Sequence, residues 1–480
     1  MPELSPNSLT VSSTEFVTEN LIYPKSEAVM PAVDALSVLM DVPYIVRILV
    51  SLGVILALNR WVRNLGVSVV VGTVLLMVWS GHSVSSATRV LHGFLGSANT
   101  WFLLLVVFLV IWLSMQLAEA GVMSEMVGAV RRRLPRHGAM AVLPAVIGML
   151  PMPGGAAFSA PMVGECDDGE RVYPLLKSKT NYWFRHVWEY WWPLYPGVLL
   201  AIEKTGLAVW EFMLLQLPMS FMSIGVGSAF LLRKIKRTDT AEAASGQGDD
   251  PTGDENESRT NGRDPMELVR LASPVIIVIA VYAIIRVMFP LVYETNKYLP
   301  MVTGLVVAIF GLQRGRPLSR ESWKRIIFSR KAGVLALLVF LIGIYGVFIE
   351  SRLPGGSMLM TEVKAELQTW GIPTVLMLVL LPFFSGLATG LAVGFVGTSF
   401  PIVMTLLGQD PAAGTLLAGT VLAFGCGYMG MILSPVHICL IVTNEHFQTR
   451  VVRSLAGLVV PSSVMGLLVL LYSLLIYLMF

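Results

Sequence analysis

Apolar residues run along this chain in blocks of about twenty, the length that crosses the hydrocarbon core of a bilayer. Ten blocks read as spans: 42–60, 65–80, 99–122, 187–202, 209–232, 267–289, 299–313, 332–350, 413–443 and 456–480. Two further apolar stretches, 139–165 and 371–406, are interrupted by glycine and proline and read as re-entrant hairpins that enter and leave on one side. The polar blocks carry information too. Residues 1–41 form a polar, proline-containing tail without the basic start of a signal peptide, and the expectation is that the true start lies downstream, near Met40. Residues 235–265 are rich in Gly, Asp and Glu, have no apolar periodicity, and read as a disordered linker. Segments 172–184 and 318–331 mix apolar and basic residues and predict helices lying along the membrane surface.

Composition agrees with this map. The chain has 480 residues, 55% hydrophobic and 14% charged; a soluble domain carries about 25% charged residues. The fold class is therefore an all-α polytopic membrane protein. The net charge of +3 is no sign of a nucleic-acid partner, because topology sets where the charges lie.

The two hairpins share a motif. Ser159-Ala160-Pro161-Met162-Val163 returns 240 residues later as Ser399-Phe400-Pro401-Ile402-Val403. Each copy is followed by a span broken by proline, at Pro193 and Pro196 in the first half and at Pro435 in the second. The halves, 42–234 and 266–480, then each hold five crossings, one of them discontinuous, plus one hairpin. Five is odd, so the second half is inserted upside down relative to the first. Basic residues test this. Of 34 Lys and Arg, 26 fall on the side reached after the first span and six on the other, with Arg47 and Arg286 inside spans. By the positive-inside rule the first side is cytoplasmic, which places both termini outside a cell (inner) membrane.

Candidate chemistry gathers at the interruptions. Inside a bilayer, irregular backbone persists only where protein or a wet cavity surrounds it. Pro153, Gly154 and Gly155 break the first hairpin, and the helix restarting near Phe158 offers free N–H groups to an anion, with Ser159 beside them. Gly394, Gly397, Thr398 and Ser399 are the matching set in the second hairpin, with Pro161 and Pro401 in support. Close helix packing by small residues is the competing reading of these glycines. In the first broken span, Glu189 stands at i+4 from Arg185, which predicts a pair on one helix face. A carboxylate at membrane depth is costly and points to a coupling site or a structural pair. Tyr195 before Pro196 and Ser434 before Pro435 correspond, and His437 beyond the second break can titrate near neutral pH.

Motifs that are missing narrow the field. There is no phosphate-binding G-x-x-x-x-G-K-[ST] loop, no H-E-x-x-H and no G-x-S-x-G. The three cysteines show neither a disulfide framework nor metal spacing. No cofactor or resident metal is expected, and the chain does not read as an enzyme. A membrane enzyme would need Ser159 or Ser434 beside His186 or His437, and nothing in the sequence brings them together.

The layout resembles the ion-transporter superfamily, which includes divalent-anion/sodium symporters, citrate and gluconate transporters and the large membrane subunits of tripartite carboxylate transporters. The runs Leu150–Gly155, Asn181–Gly197 and Met431–His437 resemble more closely a family of integral membrane proteins of unknown function within it. The resemblance implies an elevator mechanism, a homodimer, and Na+ as a coupling ion. The tips here, Phe158–Pro161 and Thr398–Pro401, lack the asparagine of the Ser-Asn-Thr motif that holds sodium in those symporters. The expectation is secondary active transport of a small anionic, carboxylate-like solute, driven by Na+ or H+. The alternative is a cation/proton antiporter with Glu189 as the exchanging carboxylate.

Overall fold

The computed structural model describes residues 41–62, 64–149, 155–167, 171–235, 266–408 and 410–480. The expected tail, apart from Asp41, and the expected linker, apart from Ile235, lie outside those residues. Among the described residues there is no strand; a single isolated bridge joins Arg352 to Met358. Residues Pro43–Phe480 form one unit.

The first half runs α1 (Tyr44–Val62), α2 (Leu65–Trp79), α3 (Val84–Gly96), α4 (Ala98–Glu119), α5 (Val122–Arg133), α6 (Arg136–Gly148), α7 (Ala156–Glu165), α8 (Pro174–Arg185), α9 (Pro196–Thr205) and α10 (Val209–Gly227). A π-helical stretch, Ser228–Leu232, carries α10 on to Ile235. The second half runs α11 (Met266–Met288), α12 (Pro290–Thr295), α13 (Leu299–Gly315), α14 (Arg320–Ile327), α15 (Arg330–Ile349), α16 (Leu359–Thr369), α17 (Thr374–Thr389), α18 (Ala392–Leu407), α19 (Ala413–Ile432), α20 (Ile438–His446) and α21 (Val451–Met479).

Local chemistry sets many of the boundaries. Ser83 and Ser319 cap α3 and α14 by accepting the backbone N–H three residues on. α9 opens on Pro196 at its first position and closes on Gly206 with φ +70°, the Pro-first, Gly-last asymmetry of helices.

Among the described residues seven helices are long and apolar enough to cross a membrane, eight if the bent pair α16–α17 counts as one span. Helices α2 and α13, read from sequence as spans, are apolar but shorter. Leucines 467, 470, 471, 474 and 475 of α21 stay exposed on the protein surface, as a lipid-facing side requires. This is the pattern of a multi-pass membrane protein. Burial also locates the centre: the apolar window of α19 is 83% buried, against 28% in α11.

The fourth span differs from the sequence reading. Segment 172–184 is no surface-lying helix: α8 is buried at every residue from Leu176 to Arg185. Its polar residues give it an amphipathic look, but two of them have partners inside. The Lys177 ammonium lies 2.7 Å from the Asp167 carboxylate, and the Asn181 amide donates to the Thr443 hydroxyl at 2.9 Å. The span is two half-helices, α8 and α9, separated by a break at 186–195. The short helices α3 and α16 were not foreseen. Segment 318–331 does contain an amphipathic helix, α14, with only Ser322 and Ile326 buried.

Within the segments read as hairpins, α6 packs on α7 and α17 on α18. Many contacts join the first part of the chain to the second. α7 packs on α20 and α18 on α9; α13 packs on α4 and α2 on α15. α4 also packs on α15 and α10 on α21.

Candidate functional site

Two interruptions meet at the centre of the molecule. The first is the break 186–195 between α8 and α9; the second is 433–437 between α19 and α20. Each leaves helix-terminal carbonyls without intrahelical partners, and tyrosines from the opposite half supply donors. Tyr182 of α8 donates to the Ile432 carbonyl at 3.0 Å, while Tyr428 of α19 donates to the His186 carbonyl at 2.6 Å. The breaks are thereby tied to one another.

The end of α6 and the turn before α18 each lean on the break of their own half. A Cβ on Gly148, at the end of α6, would lie 1.9 Å from the Arg185 carbonyl oxygen. The last carbonyls of α6 accept from the aromatic run: Ala145 from Trp188 Nε1 at 2.8 Å, Met149 from Trp192 Nε1 at 2.9 Å, and Gly148 from the Tyr195 hydroxyl. These aromatics are an internal capping set for the hairpin. In the second half the tip turns on Gly390, whose φ of +62° and a would-be Cβ 2.9 Å from His437 N both require glycine.

Between these parts lies a cavity of about 110 Å³, lined by Arg185, Glu189, Tyr195 and Gly197 from the first half and by Gly390–Val393, Met431 and His437–Cys439 from the second, with Leu335. Its polar lining is almost wholly buried: Arg185 is 2% exposed and Glu189 8%. Arg185 places its guanidinium against the start of α7, where a Cβ on Gly155 would meet Nη2 at 2.4 Å. Positive charge and a helix N-terminus therefore share one spot, an arrangement suited to an anion. The expected helical pair of Arg185 and Glu189 does not form. α8 ends at Arg185, so Glu189 falls in the break, and its carboxylate lies 3.8 Å from His186 Nε2 instead.

The other residues singled out from sequence are distributed as follows. Pro153 and Gly154 lie outside the described residues. Ser159 is fully buried in α7, its hydroxyl without a hydrogen-bond partner among the described residues, and Pro161 lies further along that helix. Gly394 and Gly397 are packing glycines inside α18, where a Cβ would meet Thr389 at 2.5 Å and Ile342 at 1.8 Å. Thr398 and Ser399 sit well past the tip and return their hydroxyls to their own helix, to Gly394 O at 2.7 Å and Phe395 O at 2.6 Å. Pro401 follows within α18. The residues at the second tip are Gly390, Leu391 and Ala392, and Ala392 packs against Gly197 so closely that a Cβ there would lie 2.5 Å from its own. Ser434 is fully buried beside Gly390, and Pro435 occupies the turn before His437.

Two participants were missed. One ring nitrogen each of His186 and His437 and the Cys439 sulfur lie within 4.8 Å of one another, all three residues buried. The signal was faint: His437 and Cys439 stand two apart across a helix start, whereas His186 is 251 residues away from the first of them.

A larger recess of about 340 Å³ lies between α3, α4, α9 and α15. Its charges are already engaged, Lys204 with Glu350 at 2.8 Å and Glu203 with Lys297 at 2.6 Å. The smaller central cavity is the better candidate.

Among curated proteins none matches this chain. The family described as "Protein of unknown function (DUF401)" matches residues 45–243 and 267–476, nearly all of both halves, and the chain belongs to that family.

Proposed function

We propose that this protein is a secondary active transporter of a small anionic, carboxylate-like solute, built from two inverted repeats and coupled to a Na+ or H+ gradient. The observation that carries the reading is the central cavity, which draws its lining from both breaks and from the second hairpin tip, with the Arg185 guanidinium against the start of α7. Its volume of about 110 Å³ is below the roughly 300–1,000 Å³ of drug-sized sites, so the solute is small. The exchanged contact pairs, α7–α20 with α18–α9 and α2–α15 with α4–α13, are what a two-fold relation between the halves produces. Combined with the odd number of crossings and the one-sided basic residues, they support inversion, ten crossings and outward termini. The elevator motion and the homodimer rest on the resemblance to the ion-transporter superfamily.

One observation favours a second reading. Glu189 is a buried carboxylate at the cavity with an imidazole 3.8 Å away, the elements of a proton-exchanging antiporter.

The test is a thermal-shift screen of purified protein against small carboxylates, with Na+ exchanged for K+ and pH varied. A ligand of the folded state raises its stability by about 2.7 kcal/mol at a hundredfold excess over Kd. A Na+- or pH-dependent shift with one organic anion is the expected result. Shifts with cation or pH alone would replace the symport reading by the antiporter. No shift across the panel, with protein that elutes monodisperse, would overturn both.

A further inference from the structure

We propose that His186, His437 and Cys439 bind a single transition-metal ion of the Zn2+ type, clamping the two breaks together. The three donors lie within 4.8 Å of one another. In a tetrahedral zinc site with bonds of 2.0–2.3 Å, neighbouring donors stand about 3.3–3.7 Å apart. Closing the cluster by about an ångström would suffice, and its members sit in or beside non-helical segments.

The imidazoles are oriented for this role. His186 Nδ1 lies 2.6 Å from the Tyr182 carbonyl, which accepts a hydrogen bond and so puts the ring proton on Nδ1. Nε2 then carries the lone pair, and it is buried with no hydrogen-bond partner among the described residues. An imidazole held by a backbone carbonyl on one nitrogen and offering the other is the usual form of a metal-bound histidine. His437 repeats the arrangement more loosely, with Nδ1 3.4 Å from the Met431 carbonyl. The two rings meet edge to face at 4.7 Å, and each also packs edge to face on Tyr182, at 4.8 and 5.2 Å.

A dyad for nucleophilic chemistry would need one histidine beside the thiol. Two histidines from different halves, converging on one sulfur, fit a metal better. Nitrogen and sulfur donors select borderline and soft ions over Mg2+ or Ca2+. Glu189, 3.8 Å from His186 Nε2, lies beside the three-donor cluster rather than within it, and a water would complete a tetrahedral site. His437, Cys439 and Glu189 all line the cavity, which gives the ion its entry. Binding breaks the Cys439 S–H bond and forms a metal–sulfur bond; the proton leaves through the cavity and no electron is transferred. The inference shares this cavity with the transport reading but needs no transport to be tested.

The experiment is a Co2+ titration of chelator-stripped, purified full-length protein. The expected result is one equivalent bound, with intense visible bands of a tetrahedral ion and a thiolate-to-cobalt charge-transfer band. Cys439→Ser should abolish the charge-transfer band. His186→Gln and His437→Gln should each weaken binding at least tenfold. To keep the test independent of how Cys439→Ser folds, the double variant Cys166→Ser/Cys426→Ser leaves Cys439 as the only thiol and should retain the band. Absence of the band from the folded wild-type protein, its loss in the double variant, or its survival in Cys439→Ser would overturn the proposal.

Discussion

The two breaks answer one problem, free backbone groups at membrane depth, with different materials. The first is ten residues long and rich in aromatics: Trp188, Trp192 and Tyr195 reach out to cap the carbonyls of the neighbouring hairpin. The second is five residues long and has little side chain to offer. Its Ser434 hydroxyl accepts from Val436 N at a long 3.4 Å, and its hairpin is held by backbone approach. A Cβ on Gly430 of α19 would lie 2.0 Å from the Phe383 carbonyl, and one on Gly386 of α17 would lie 2.1 Å from the Gly427 carbonyl. The first hairpin adds side-chain donors to a close backbone approach at Gly148, whereas the second relies on close backbone contact. Mutations that remove donors should therefore act mainly on the first half, while mutations that add volume at these contacts act on both.

The largest effect is expected from volume in the second half. Gly430→Ala forces α17 away from α19, an overpacking that costs about 3 kcal/mol. The apparent Tm in detergent should fall by several degrees, while Gly466→Ala, which meets nothing within 4 Å, leaves it unchanged. Equal Tm values for the two would show that the backbone contact is not what holds the second hairpin.

Donor loss in the first half should come next. Trp192→Phe leaves the Met149 carbonyl without its indole partner, costing about 1–3 kcal/mol for a buried acceptor. Ser434→Ala, its counterpart in the second break, should cost less than about 1 kcal/mol because the bond it removes is long. Tm values in the reverse order would break the contrast between the breaks.

The smallest effect lies away from both. Arg316 grips Glu125 with two 2.6 Å bonds, and this hydrogen bonding holds the Glu125 carboxyl below the usual carboxylate range. A depressed folded value means the stabilisation is present above the ordinary carboxylate pKa and lost as pH falls through the depressed one. The pair is exposed, so its worth is about 0.2–1 kcal/mol. Glu125→Gln should lower Tm slightly at neutral pH and match the wild type in acid. A constant difference at all pH values would remove the ion pair as its cause.

How much of the site was legible depends on where its partners lie in the chain. Glycine–proline interruptions announced the hairpins and breaks because they violate helix continuity locally, and Glu189 announced itself by being charged among tryptophans. The matching runs Ser159–Val163 and Ser399–Val403 point a turn or more beyond the second tip, since Thr398 and Ser399 bond to their own helix. The i+4 rule misled at Arg185 and Glu189, because it presumes a helix that ends at the first of the two. Segment 172–184 reads as a surface helix because Lys177 and Asn181 look solvated until Asp167 and Thr443 are seen beside them.

By itself the sequence determined the class, a multi-pass helical membrane protein, and the positions of its helix interruptions, since twenty-residue apolar runs and misplaced prolines are properties of neighbours along the chain. Only the tertiary structure decided that Arg185 sits against Gly155, that Gly390 forms the second tip, and that His186 comes to His437 and Cys439. Those contacts join residues up to about 250 positions apart. No local pattern encodes such a distance; it is set when two broken helices fold against each other and each supplies what the other's backbone lacks.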